Sequence, residues 1–233
     1  MIKKKSTANP RVLNTSTSTI GTAKKVYWLK VFIHLAAFLP LLNVYYLAFN
    51  DQLGADPVQY VIHFTGIGAF NLLLLSLLIS PWAKRFKQGY LMQVRRLLGL
   101  YVFTYAFMHV LNFLAFDLQF AWSLFFNEVV KRPYITIGMV AFILLFLLAI
   151  TSHNSLKRKM ARNWQRLHNF SYLIAILVAV HFYWSVKSGL FTPVLYFILT
   201  MLLLACRYKK IKALCLSVIN RERSTTPKIK NSI

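Results

Sequence analysis

The chain has 233 residues, of which 58% are hydrophobic and only 14% charged, and its mean hydropathy is +0.53. That composition excludes an ordinary soluble domain and points to a polytopic membrane protein. The formal net charge of +23 would suit a nucleic-acid binder, but the Lys and Arg residues cluster between apolar runs. Such placement marks topology and affinity for an anionic lipid face, so nucleic acid is set aside as a partner.

Residues 1–25 are polar, rich in Lys, Ser and Thr, and lack an apolar h-region; they are expected to form a flexible basic tail without a cleavable signal. Six spans are expected within a membrane domain of residues 26–206. The first covers residues 28–50, carries His34, and contains Pro40, which should kink it. A turn, DQLGADP, leads to the second, residues 58–82, where His63 lies beside the small residues Thr65, Gly66 and Gly68. Small residues there let a neighbouring helix or a flat macrocycle approach the backbone. A basic loop precedes the third span, residues 97–116, with His109. Residues 117–133 are too short and mixed to cross, and read as a partly helical interfacial loop rich in aromatics.

The fourth span covers residues 134–152, and a second basic loop holds His153. The fifth, WQRLHNFSYLIAILVAVHFYWSVK over residues 164–187, carries two histidines, His168 and His181. The turn KSGLFTP precedes the sixth, residues 194–206, and residues 207–233 form a basic tail. Cys206 and Cys215 lack the C-x-x-C or Cys/His spacing of a zinc or iron–sulfur site and read as free thiols.

Six spans place both termini on one side. All of the 28 basic residues except Lys131, Arg132 and Lys187 then share that side, while every acid except Glu222 faces the other. The positive-inside rule therefore gives an N-in, C-in orientation. Orientation turns sequence distance into depth. His168 lies about 3 Å past Arg166 at the inner level, whereas His109, about 20 Å beyond Arg96, falls level with His181. An ionisable ring in lipid costs free energy unless it is paired or used. Two imidazoles from two helices at one depth, surrounded by Phe, Tyr and Leu, suit the axial positions of a b-type heme.

At the inner level His168 has no obvious partner. His34 lies at similar depth, His63 nearer the outer level, and both are candidate additional ligands or simply imidazoles bonded to a neighbouring helix. Arg95, Arg96 and Arg166 are at hand for anionic groups such as heme propionates or a flavin phosphate. A regular helix would carry the His168 and His181 rings about 140° apart, so either that helix is distorted or two cofactors approach from different sides.

The runs RRLLGLYVFTYAFMH (95–109), WQRLHNFSYLIAILVAVHFYWSVK (164–187), LGADPVQYVIHFTG and KRPYITIG resemble the ferric-reductase-like transmembrane domain shared with NADPH oxidases. Within that group they resemble the MsrQ (YedZ) family, the heme-binding membrane subunits of bacterial methionine sulfoxide reductase systems, over residues 24–212. The wider group places two heme-ligating His on each of two helices. His109, His168 and His181 match three of those positions, and the fourth is Arg95. The resemblance implies one or two b-type hemes, FMN, a bacterial inner-membrane location, and electron delivery to a periplasmic molybdopterin subunit, MsrP. The donor it implies is the quinone pool or a cytoplasmic flavin reductase. No G-x-G-x-x-G is present and the last span is followed by only a short tail, so the chain is expected to be an electron-transfer subunit rather than the sulfoxide-reducing one. The competing readings are a free-standing ferric or oxygen reductase and a His-relay transporter; the absence of acids from the spans weighs against the second.

Overall fold

A computed structural model describes residues 10–186 and 189–208, with side chains from Gly21 onward. The regular elements among the described residues are all helical, in the order α1 (Pro10–Phe49), α2 (Pro57–Arg85), a 3-10 turn (Gly89–Gln93), α3 (Arg95–Asn112) with a π-turn (Phe113–Asp117) at its end, α4 (Trp122–Lys131), α5 (Pro133–Ile150), α6 (Asn154–Met160), α7 (Arg162–His168), α8 (Ser171–Ser185) and α9 (Phe191–Ala205). Five stretches are long and apolar enough to cross a membrane: Gly21–Phe49, Pro57–Arg85, Arg95–Asp117, Pro133–Ile150 and Arg162–Ser185. The remaining apolar helix, α9, has 15 residues and rises about 22 Å, short of a ~30 Å hydrocarbon layer. The helix of α1 reaches back to Pro10, into the stretch expected as a tail.

Local chemistry sets the helix ends. Asp56 caps α2 by accepting from the Gln59 backbone N–H at 2.9 Å, with Pro57 in the first turn, and Pro133 opens α5 in the same way. The loop expected to be interfacial contains α4, strongly amphipathic, with Phe125 buried against Leu114 and Leu118 while Trp122 and Phe126 are exposed.

The histidine-rich fifth segment is broken. α7 ends at His168, Asn169 and Phe170 form a turn, and α8 starts at Ser171. The Asn169 side chain accepts from Gln165 Nε2 at 3.0 Å, and the Phe170 N–H turns back to the Leu167 carbonyl. The regular-helix rotation therefore does not relate His168 to His181, which is the distortion the sequence left open.

The bundle is built from two hairpin-like pairs, α2 on α3 and α5 on α8, with α9 against α8 and α1 against α2. Its core joins Phe70, Leu73, Leu77 and Val102 to Leu145, Ile174, Ala175, Ala179 and Leu203. Ala175 and Ala179 are fully buried, and their small side chains let backbones come close. Three interior polar contacts tie the helices together: Tyr45 donates to Asn112 Oδ1 at 2.8 Å, Asn112 Nδ2 to Thr65 Oγ1 at 3.4 Å, and Tyr105 to the Ala37 carbonyl at 2.6 Å. These bonds fasten α1, α2 and α3 where no water is available to substitute.

Candidate heme site

The two hairpins each present one histidine. His109 on α3 and His181 on α8 face each other with ring centroids 6.2 Å apart and planes 83° apart. His109 Nδ1 donates to the Ile62 carbonyl on α2 at 2.9 Å, and His181 Nδ1 donates to the Tyr134 carbonyl on α5 at 2.7 Å. A carbonyl only accepts, so each Nδ1 carries the proton and each Nε2 keeps its lone pair. That is the tautomer a metal-bound histidine needs, fixed by a backbone bond behind the ring.

The same steric device supports both rings. A Cβ at Gly66 would meet His109 Nδ1 at 3.0 Å, and a Cβ at Gly138 would meet the His181 ring at 2.8 Å, so glycine leaves the slot in which each imidazole lies. Ile62 to His109 and Tyr134 to His181 each span 47 residues. The hairpins are thus two copies of one arrangement, a helix turn offering carbonyl and glycine to a histidine on the following long helix, and the motifs GIGAF (66–70) and GMVAF (138–142) mark it in the sequence.

The geometry fits a metal held between the two rings. A metal–imidazole bond of about 2 Å on each side, plus about 1 Å from nitrogen to ring centre, gives a centroid separation of about 6 Å. Tyr134 lies beside the pair, its ring centroid 6.2 Å from that of His181, and His63 lies 6.2 Å from the Phe182 ring.

The other sequence candidates sit elsewhere. His168 stacks on Trp164 at 4.1 Å and places Nε2 3.3 Å from Thr151 Oγ1; Trp164 Nε1 donates to the Thr151 carbonyl, which joins α7 to the end of α5. His34 is exposed and shares a 2.6 Å hydrogen bond with Tyr101 on α3. His63 is also exposed and lines a groove of about 380 Å³ with Tyr60, Asn71 and Pro40. The structure thus pairs His109 with His181, and engages His168 and His34 with non-histidine neighbours. His153 caps α6, accepting from the Ser155 N–H. Arg96 donates to Asn154 Oδ1 at 2.8 Å and Arg166 to Asn163 Oδ1 at 3.5 Å, both at the surface, whereas Arg95 has its Nε buried.

The ferric reductase like transmembrane component family matches residues 65–179, a range that contains Gly66, His109, Gly138 and His168. The chain is 44% identical over 192 residues to the protein-methionine-sulfoxide reductase heme-binding subunit MsrQ of Klebsiella pneumoniae (strain 342), covering 82% of this chain and 96% of that one. The chain belongs to the MsrQ family. It is also 46% identical, over the same shares, to the MsrQ heme-binding subunit of Cronobacter sakazakii (strain ATCC BAA-894). No solved structure matches it. Membership in this family, with five membrane-length helices, makes the chain a multi-pass membrane protein with a heme site, consistent with the inner membrane of its bacterial relatives.

Proposed function

We propose that the chain is the membrane electron-transfer subunit of a methionine sulfoxide reductase system, holding a b-type heme between His109 and His181 and passing electrons to a periplasmic MsrP partner. Its relatives are named as heme-binding subunits of protein-methionine-sulfoxide reductase, and this chain carries a fixed histidine pair where such a group fits. In this reading α9 is the sixth crossing, both termini lie inside, and the donor is quinol or a reduced flavin such as FMN. The observation that carries the proposal is the pairing itself: two imidazoles, each with Nδ1 tied to a carbonyl and Nε2 free, at a separation that suits one metal between them.

Bound there, heme supplies reversible one-electron transfer at its iron. The residues set the conditions. The carbonyl bonds keep both imidazoles basic at Nε2, the glycines keep the rings seated, and the Tyr134 ring lies beside His181. His168, at the inner level, lies on the proposed entry route, with Thr151 and Trp164 orienting its ring. The amphipathic α4 is the proposed outward surface for the periplasmic partner. Heme content and optical spectra of His109→Ala and His181→Ala test the reading: both variants lose the same heme and the same spectral species. Two different species lost independently would refute the pairing, and reduction of ferric iron or oxygen without any partner would favour the free-standing reductase.

A further inference from the structure

The two histidine mounts repeat at a fixed offset, and they differ chemically right behind one of the rings. A step of 72 residues, from Gly66 to Gly138, also carries Ile62 onto Tyr134 and His109 onto His181. The same step carries Thr65 onto Ile137 and Asn112 onto Trp184. One mount therefore holds a hydroxyl and a carboxamide where the other holds an aliphatic chain and an exposed indole.

Thr65 is fully buried, and its Oγ1 lies 2.8 Å from the Val61 carbonyl and 3.0 Å from the Ile62 carbonyl. Behind it Asn112 Nδ2 donates to the same hydroxyl oxygen at 3.4 Å, and Tyr45 donates to Asn112 Oδ1 at 2.8 Å. The hydroxyl accepts from Asn112, so its single proton is left for the two carbonyls. The Ile62 carbonyl is the one that holds His109 Nδ1, and inside α2 it also receives the helical N–H of Gly66. Three donors thus converge on an oxygen with two lone pairs. The Tyr134 carbonyl meets the Gly138 N–H and His181 Nδ1, and Ile137 adds no donor. The bond to His181 is correspondingly the shorter, 2.7 Å against 2.9 Å.

Thr104, Thr151 and Thr200 also bond back along their helices, each to a carbonyl that no histidine uses. At Thr65 alone among the described residues do a hydroxyl and an imidazole share an acceptor. We propose that Thr65 is a positioning residue for the heme ligand, weakening the Nδ1 bond of His109 so that His109 donates less strongly to iron than His181 does. The proposal rests on the reading that the two rings hold one heme. An Nδ1–H bonded to a strong acceptor makes the imidazole a better donor, which favours ferric over ferrous iron and lowers the potential. Thr65 draws on that acceptor and so holds the potential up. No water competes in the apolar interior, where such bonds count for more.

Redox titration of the heme-loaded protein in detergent, followed at the optical bands, compares the wild type with Thr65→Val, Thr65→Ser and Ile137→Thr. Valine matches threonine in shape and removes the competing hydroxyl, so the ferric form gains by about threefold, a fall of about 30 mV for one electron. Serine restores the hydroxyl and stays near the wild type. Ile137→Thr places a hydroxyl three residues after Tyr134, as Thr65 stands to Ile62, and raises the potential by a similar amount. Packing defects at the two sites do not produce shifts of opposite sign. Proton–nitrogen NMR of protein isotope-labelled in histidine, in the reduced diamagnetic state, reads the bonds themselves. Thr65→Val moves one ring N–H proton downfield, and Ile137→Thr moves the other upfield. An unmoved or raised potential in Thr65→Val, with that heme lost in His109→Ala, overturns the proposal and leaves the pairing standing. Heme retained in His109→Ala overturns the pairing and the proposal with it. If Thr65→Val does not assemble, Ile137→Thr carries the test, and an unmoved or lowered potential there is the overturning result.

Discussion

Replacing Gly138 by alanine tests the glycine cradle behind the histidines. Helix propensity alone favours the change, since alanine stabilises a helix interior by about 1 kcal/mol over glycine. The new Cβ, however, lies 2.8 Å from His181 Cε1 and Nδ1. Ordinary contact distances of about 3.5 Å require the ring to retreat by about 0.7 Å. It cannot retreat freely, because Nδ1 is anchored 2.7 Å from the Tyr134 carbonyl in the preceding turn of the same helix. Overpacking of this kind costs about 1–3 kcal/mol. Falling on the ligated geometry, that is roughly a five- to 150-fold loss of heme affinity. At Gly66 the contacts are 3.0 and 3.1 Å, so the His109 ring needs to give by only a few tenths of an ångström and the effect is smaller. Heme titration of the purified apoprotein, with optical spectra of the product, measures both. Wild-type affinity in Gly138→Ala, or a larger loss in Gly66→Ala than in Gly138→Ala, would refute the cradle argument.

Three further outcomes follow from the same geometry. His168→Ala should block reduction from the inner side while leaving the heme at His109 bound and reducible by dithionite; unchanged electron entry would remove His168 from the route. Replacing the exposed Trp122 and Phe126 by Ser should slow reoxidation of the reduced heme by the periplasmic partner with the spectrum intact, and an unaffected rate would move docking off α4. Phe125 is not suited to that experiment, since it is buried against Leu114 and Leu118 and its loss would loosen α4 itself. Asn112→Leu strands the Tyr45 hydroxyl, and thermal unfolding should show a loss of about 1–3 kcal/mol that Tyr45→Phe in the same chain partly restores.

Apolar length and the spacing of basic loops made the membrane class and most helix positions readable from the sequence, because a bilayer imposes both directly. Depth counting likewise brought His109 level with His181, since a straight helix converts residue number to distance at a constant rise. The break at Asn169 and Phe170 was not readable, because no proline or glycine marks it and apolar residues continue through it from Leu167 to Leu173 and beyond. Nor was the role of Arg207, which answers a carbonyl left open by Pro81 at the far end of another helix. The glycine supports were visible as residues but not as partners of histidines. The shared G-x-x-A-F pattern at 66–70 and 138–142, together with the repeated interval from Ile62 to His109 and from Tyr134 to His181, is the signal that could have exposed them.

The central claim is that one heme iron sits between His109 and His181, and electron paramagnetic resonance of the ferric protein tests it most directly. Nearly perpendicular imidazole planes, here 83° apart, leave the iron orbitals close in energy and give a strongly anisotropic low-spin signal, whereas parallel planes give a rhombic one. The account predicts that anisotropic signal in the wild type and its complete loss in both His109→Ala and His181→Ala, with His34→Ala and His63→Ala unchanged. A low-spin signal that survives in either of the first two variants would contradict it.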